Sequence, residues 1–115
     1  MKKLKSIIIA LVLALSVGAV STHAAKEETD SKTLGKSFKE AWSKTITNTS
    51  SKTFKVGYNT SWINEDFTHT YHQKNAHYAY VKNTGSVQTL KGSAGKYAKA
   101  EIKHHSGTVF YSYTY

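Results

Sequence analysis

The sequence has no cysteine, no proline and no arginine. Without cysteine there is no disulfide, no thiolate metal site and no cysteine nucleophile. Arginine is the side chain of bidentate phosphate and guanine recognition, so its absence argues against sequence-specific reading of nucleic acid, and no nucleic-acid partner is expected. Acids are scarce too: seven, against sixteen lysines, for a formal net charge of +9. Lysine-driven charge suits a diffuse anionic partner such as a surface. The 115 residues bound the chain to one small domain.

What is present begins with a secretion-like leader. MKKLKS is basic, IIIALVLALSVGAV (residues 7–20) is unbroken apolar and small, and STHAA ends on small residues at Thr22 and Ala24. Charged start, apolar centre and small-x-small exit describe a secretory signal peptide over residues 1–24, cut after Ala24 or Ala25. The apolar run is shorter than the ~20 residues a helix needs to cross a bilayer, which weighs against an uncleaved anchor. Removal takes three lysines and no acid, so the secreted, extracellular form keeps a formal charge of about +6.

Residues 25–52 form an N-terminal segment, read as a short helix or linker. Leu34, Phe38, Ala41, Trp42 and Ile46 make a helical stripe with lysines mostly off it, interrupted by Gly35. Such a stripe suits either a helix packed on the domain or an amphipathic element that touches membrane or partner. TNTSSKT (residues 47–53) reads as a polar linker.

From residue 53 the hydrophobic period becomes two. FKVGY, FTHTYH, AHYAYVK, VQTL, KYAKAEIK and TVFYSYTY alternate, and turn-forming clusters such as QKN, KNTGS and KGSAG separate them. Six short strands predict an all-β domain over residues 53–115, a small antiparallel β-sandwich or barrel. All eight tyrosines lie after residue 57. Aromatic side chains bury roughly 150–250 Å² each, enough to supply a small domain that lacks staples, with Ala98 and Ala100 leaving room for facing rings.

The sharpest constellation is FTHTYHQKNAHYAYVKN (residues 67–83), with His69, His72 and His77. On a strand, residues 69 and 72 point to opposite faces, so the trio does not converge as a zinc site requires. His72 and His77 meet across a hairpin, but that supplies only two ligands. The remaining readings are half-exposed histidines bonded to backbone or tyrosine, and groups that add positive charge as pH falls. Glu65 and Asp66 are adjacent and point apart, unlike the facing carboxylates of glycoside cleavage. No serine sits in a nucleophile elbow, and GSAG (residues 92–95) lacks the lysine and threonine of a phosphate loop. A binder rather than an enzyme is expected, with no catalytic residue, metal or cofactor.

FKVG (54–57), YH (71–72) with HYAYV (77–81), GKYAKA (95–100) and FYSY (110–113), in this order after a signal peptide, resemble the lactococcin 972 family of secreted bacteriocins. The resemblance covers residues 54–115. It implies two three-stranded antiparallel sheets packed as a sandwich, and export by the general secretory route. It also implies inhibition of closely related bacteria by engaging the lipid-linked cell-wall precursor (lipid II), blocking septum formation without a pore. A dedicated immunity transporter would be a partner of the producing cell. Two features depart from the family: its opening aromatic is usually tryptophan where this chain has Phe54, and residues 26–52 are additional, as a pro-segment, a partner-binding element or a mark of altered function.

An anionic, sugar-rich target calls for lysines and exposed tyrosines. Tyr71, His72, Lys74, His77, Lys96, Tyr97 and Lys99 are the candidate target-binding residues, for a cell-wall precursor or the anionic envelope of target bacteria. The sequence leaves a monomer and a homodimer open, and a non-lethal binding module for wall glycan or a host surface is the alternative function. The intact mass of the exported protein is expected to lack residues 1–24 or 1–25 and nothing more; a loss extending to residue 52 would make the N-terminal segment a pro-segment.

Overall fold

The computed structural model describes residues 25–115. The leader, with Ala24, lies outside the described residues. Eight strands follow: β1 (Lys26–Asp30), β2 (Trp42–Asn48), β3 (Lys52–Asn59), β4 (Glu65–His72), β5 (His77–Lys82), β6 (Val87–Gly92), β7 (Tyr97–Lys103) and β8 (Phe110–Thr114). They form two four-stranded antiparallel sheets, sheet I in the order β1-β8-β5-β6 and sheet II in the order β2-β3-β4-β7. The class is all-β, as the alternation predicts, and the six runs of residues 54–115 become β3 to β8.

The expected three strands per sheet are corrected to four, because β1 and β2 each add an edge strand. The expected helix over residues 34–46 does not form. Leu34, Phe38, Trp42 and Ile46 do pack on the core, so the stripe marks the buried face correctly. A spacing of four also returns a strand to the same face, and that spacing alone does not separate the two periods. Local residues decide the matter. Gly35 takes a positive φ of 68°, and the Asp30 carboxylate accepts from the Thr33 amide (2.7 Å) and hydroxyl (3.1 Å), turning the chain straight after β1. In β2, Thr45, Ile46 and Thr47 are β-branched, and the register with β3 shifts between Thr45 and Thr47, leaving Ile46 as a bulge residue.

The inner faces supply Phe54 and Val56 from β3, Ala79 and Val81 from β5, Ala98, Ala100 and Ile102 from β7, and Tyr111 and Tyr113 from β8. Phe54 meets Tyr113 at 5.7 Å between ring centroids. The alanines of β7 leave the space those rings fill. Burial holds the Tyr111 phenol well above its ordinary range, so it stays neutral.

Residues of β1, β2, β3 and the chain's last tyrosine meet at one sheet boundary. Glu27 accepts from the hydroxyls of Tyr115 (2.8 Å) and Thr47. Lys52 Nζ donates to the Tyr115 hydroxyl at 2.9 Å and lies 3.8 Å from Glu27. Ala25 and Tyr115 exchange both backbone hydrogen bonds, at 3.1 and 3.0 Å. The N-terminal segment is therefore fastened to both sheets.

The outer face of sheet II has one tight approach. A Cβ on Gly57 would lie 2.5 Å from Phe67 Cζ and 2.5 Å from the Trp42 carbonyl oxygen. Phe67 thus lies flat across β3, covering a glycine in the neighbouring strand. Gly57→Ala is expected to lower stability by roughly 1–3 kcal/mol through forced displacement of ring and backbone, seen as a lower urea midpoint with the far-ultraviolet spectrum unchanged.

Candidate envelope-binding surfaces

The seven sequence-selected residues gather at one end of the sandwich, but they do not all face outward. Thr53, Tyr71 and Tyr97 lie side by side across β3, β4 and β7, and Lys55, His69 and Lys99 form the next row. Tyr71 and Tyr97 are 5.2 Å apart between ring centroids. Tyr97 is 52% exposed, and the Lys99 ammonium lies 5.9 Å from its centroid. Lys74 and Lys96 are exposed in the turns 73–76 and 93–96, which the Gly95 amide joins by donating to the His72 carbonyl at 2.8 Å. Two outward tyrosines and three mobile ammonium groups therefore share one patch.

His72 and His77 belong to the interior, a correction to their reading as target-binding residues. His77 is fully buried. Its Nε2 donates to the Lys96 carbonyl at 2.7 Å, and in the neutral ring Nδ1 accepts from the Thr70 hydroxyl at 2.7 Å. His72 Nδ1 accepts from the backbone amides of Lys74 (3.1 Å) and Asn75 (3.0 Å), shaping the turn that follows β4. Burial first, then the nearby His77 and Lys52, hold the His72 pKa below the ordinary histidine value. His69 does sit on the outer face, donating to Glu101 at 3.0 Å. Its pKa is also lowered, because burial outweighs the carboxylate.

A second titratable pair lies at the opposite end. Asp66 is fully buried and accepts from His104 Nδ1 (2.8 and 3.0 Å) and from Asn83 Nδ2 (2.9 Å). Its pKa is raised by burial, against those hydrogen bonds. Asn83 also donates to the Lys103 carbonyl at 2.8 Å, while its own side-chain oxygen accepts from the amides of Gly85 and Ser86. Phe38 covers His104 at 4.3 Å between ring centroids. These groups are engaged in holding turns rather than presented to a reactant. Among the described residues, no three histidines or acids converge to hold a metal ion.

Sequence reasoning missed a groove on the outer face of sheet I. Its volume is about 920 Å³. Tyr78 and Tyr80 of β5 form its floor, Phe110, Ser112 and Thr114 of β8 one side, and Thr89 of β6 the other. Lys26 and Lys82 are balanced within it by Glu28 and Asp30. The alternation of HYAYV separates Tyr78 and Tyr80 from His77, Ala79 and Val81. Which set faces the core is decided by volume: beside the rings of β8, where Ala79 pairs with Tyr113 and Val81 with Tyr111, only the smaller set fits.

Comparison with protein-family models, with curated proteins and with solved structures finds no match to this chain.

The lowered histidine pKa values set a pH dependence of stability. As pH falls through ~6.5, the unfolded chain takes up protons at these positions before the folded chain does. The histidine contribution is thus complete above that value and lost below it, while the raised pKa of Asp66 acts in the opposite sense nearer the carboxylate range. The urea midpoint at pH 5.5 is expected to lie below that at pH 7.5; equal midpoints would show that His69 and His72 titrate as free groups.

Proposed function

We propose that this is a secreted antibacterial protein of the bacteriocin type, acting on related bacteria by binding an anionic, sugar-bearing component of the cell envelope. A lipid-linked cell-wall precursor, with septum formation blocked as the outcome, is the specific target this reading favours. The observation that carries it is the outward Tyr71–Tyr97 pair, at 5.2 Å, bordered by Lys99, Lys74 and Lys96. The two rings, tilted by 40° to one another, offer apolar area for sugar rings and hydroxyls for their edges. Ammonium groups on flexible stems attract a pyrophosphate without demanding one geometry. The resemblance of residues 54–115 to secreted bacteriocins supports the same reading. So does the engagement of the buried titratable groups in turns and sheet contacts, which leaves binding as what the outer faces are built for. The protein needs no cofactor in this role, and a dedicated immunity transporter would protect the producing cell.

A second reading rests on the groove of sheet I. Its charges balance, and its hydroxyls and two tyrosines suit an uncharged glycan. On that reading the protein is a non-lethal module that adheres to wall polysaccharide or a host surface.

Growth assays separate the two. The exported form of the full chain is expected to inhibit a related strain, with swollen or undivided cells. Tyr97→Ala and Lys99→Ala should each raise the inhibitory concentration roughly three- to tenfold, in line with loss of one aromatic or charged contact, while the fold is retained. Binding to isolated wall without inhibition of any strain in a broad panel would favour the glycan module instead.

A further inference from the structure

The hairpin loop joining β3 to β4, residues 60–64, ends in Trp62 and Ile63. Trp62 is 91% exposed and Ile63 42%. Among the described residues no other aromatic is left so bare: Tyr97 and Phe110 keep about half their surface covered. The loop is nonetheless well founded. Asn59 pairs with Glu65 and Glu65 with Lys103, and the His104 amide donates to the Asn64 carbonyl at 2.8 Å. A rigid base therefore holds out an indole and a branched aliphatic side chain, between the polar residues Thr60, Ser61 and Asn64.

The same end of the sandwich carries two more exposed apolar side chains, Val87 and Phe110, both paired in register with Lys82. It is also rich in lysine. Lys36 and Lys39 lie in the segment 31–41, which Phe38 pins there against Tyr58 at 5.1 Å and His104 at 4.3 Å. Lys103 closes β7 beside the loop, and Lys32 is the second residue of the segment 31–41. The acids of this end are largely committed: Asp66 to His104 and Asn83, and Asp30 to Thr33, leaving Glu40 and Glu65.

We propose that the Trp62–Ile63 tip is a membrane-interface anchor, seating this end of the sandwich in the headgroup layer of an anionic bilayer. The shape of the feature selects the partner. A convex tip offers no enclosure for a sugar, and a stable protein contact needs about 800 Å² from each side, which a two-residue point does not supply. Indole favours the headgroup level, where its ring leaves water while its N–H stays solvated. Lysines around the tip gain from an anionic surface and keep their hydration. The assignment goes beyond the envelope reading and is independent of it: the tip lies at the opposite end from the Tyr71–Tyr97 patch, so substitutions separate the two.

Vesicles of phosphatidylglycerol and phosphatidylcholine, containing no cell-wall precursor, test the anchor apart from the antibacterial reading. With the full exported protein, anionic vesicles should shift tryptophan emission to the blue, brominated lipid should quench it, and phosphatidylcholine alone should do neither. Trp62→Ser should weaken partition roughly tenfold and Ile63→Ser several-fold, with salt weakening the wild type between ~50 and ~500 mM. Both substitutions are at exposed positions and leave the core intact, which circular dichroism verifies. Unchanged emission with anionic vesicles, or equal partition by the Trp62→Ser variant, overturns the proposal. A blue shift that depends on protein concentration without lipid also overturns it, in favour of self-association through the tip.

Discussion

Among the bonds that join the two sheets, the most deeply enclosed is made by an imidazole. His77 stands on β5 of sheet I, reaches Thr70 on β4 of sheet II, and caps the turn into β7 through the Lys96 carbonyl. Both of its nitrogens are used, and no part of it is exposed. In a small interior made of alanine, valine and tyrosine, such a doubly bonded polar group fixes which residues oppose one another. Close packing reinforces it, since a Cβ on Gly92 would come within 2.7 Å of the ring. With the Thr47–Glu27 and Tyr113–Tyr71 hydrogen bonds, the His77 bond gives direction to an alignment that apolar contacts alone leave non-directional.

Much of the fold was legible in the residues. The strict alternation of KYAKAEIK and TVFYSYTY groups Ala98, Ala100 and Ile102 on one face and Tyr111 and Tyr113 on one face, and both sets lie inside. The all-β class followed from strand count and turn spacing, which left sandwich and barrel open. What escaped was the role of residues 26–48. KEETD has no apolar residue, so nothing in it announces a strand; β1 forms because β8 offers an edge and because Glu27 finds Thr47, Tyr115 and Lys52. Here tertiary pairing overrides local propensity. In β2 a repeat of four was ambiguous between helix and strand, and Gly35 with the Asp30-capped turn settled it.

The binding surfaces were half legible. Composition drew attention to tyrosine and lysine, and the stretch around Tyr71 and Tyr97 does come together. The histidines misled because a period of two assigns residues to faces but does not say which face is inner. In HYAYV the tyrosines look like the core and the histidine like the surface; the reverse holds, because the tyrosines of β8, beside them in the same sheet, already occupy much of the inner face. The groove over Tyr78 and Tyr80 is the direct result of that inversion.

The pairing of β1 with β8 joins the two extremes of the described chain. Sheet I cannot close its edge until the last strand is available, so this protein has almost no way to complete its architecture from a partly synthesised chain. Sheet II, whose four strands all precede β8, can pair earlier, so the topology defers only the closing of sheet I to the arrival of β8.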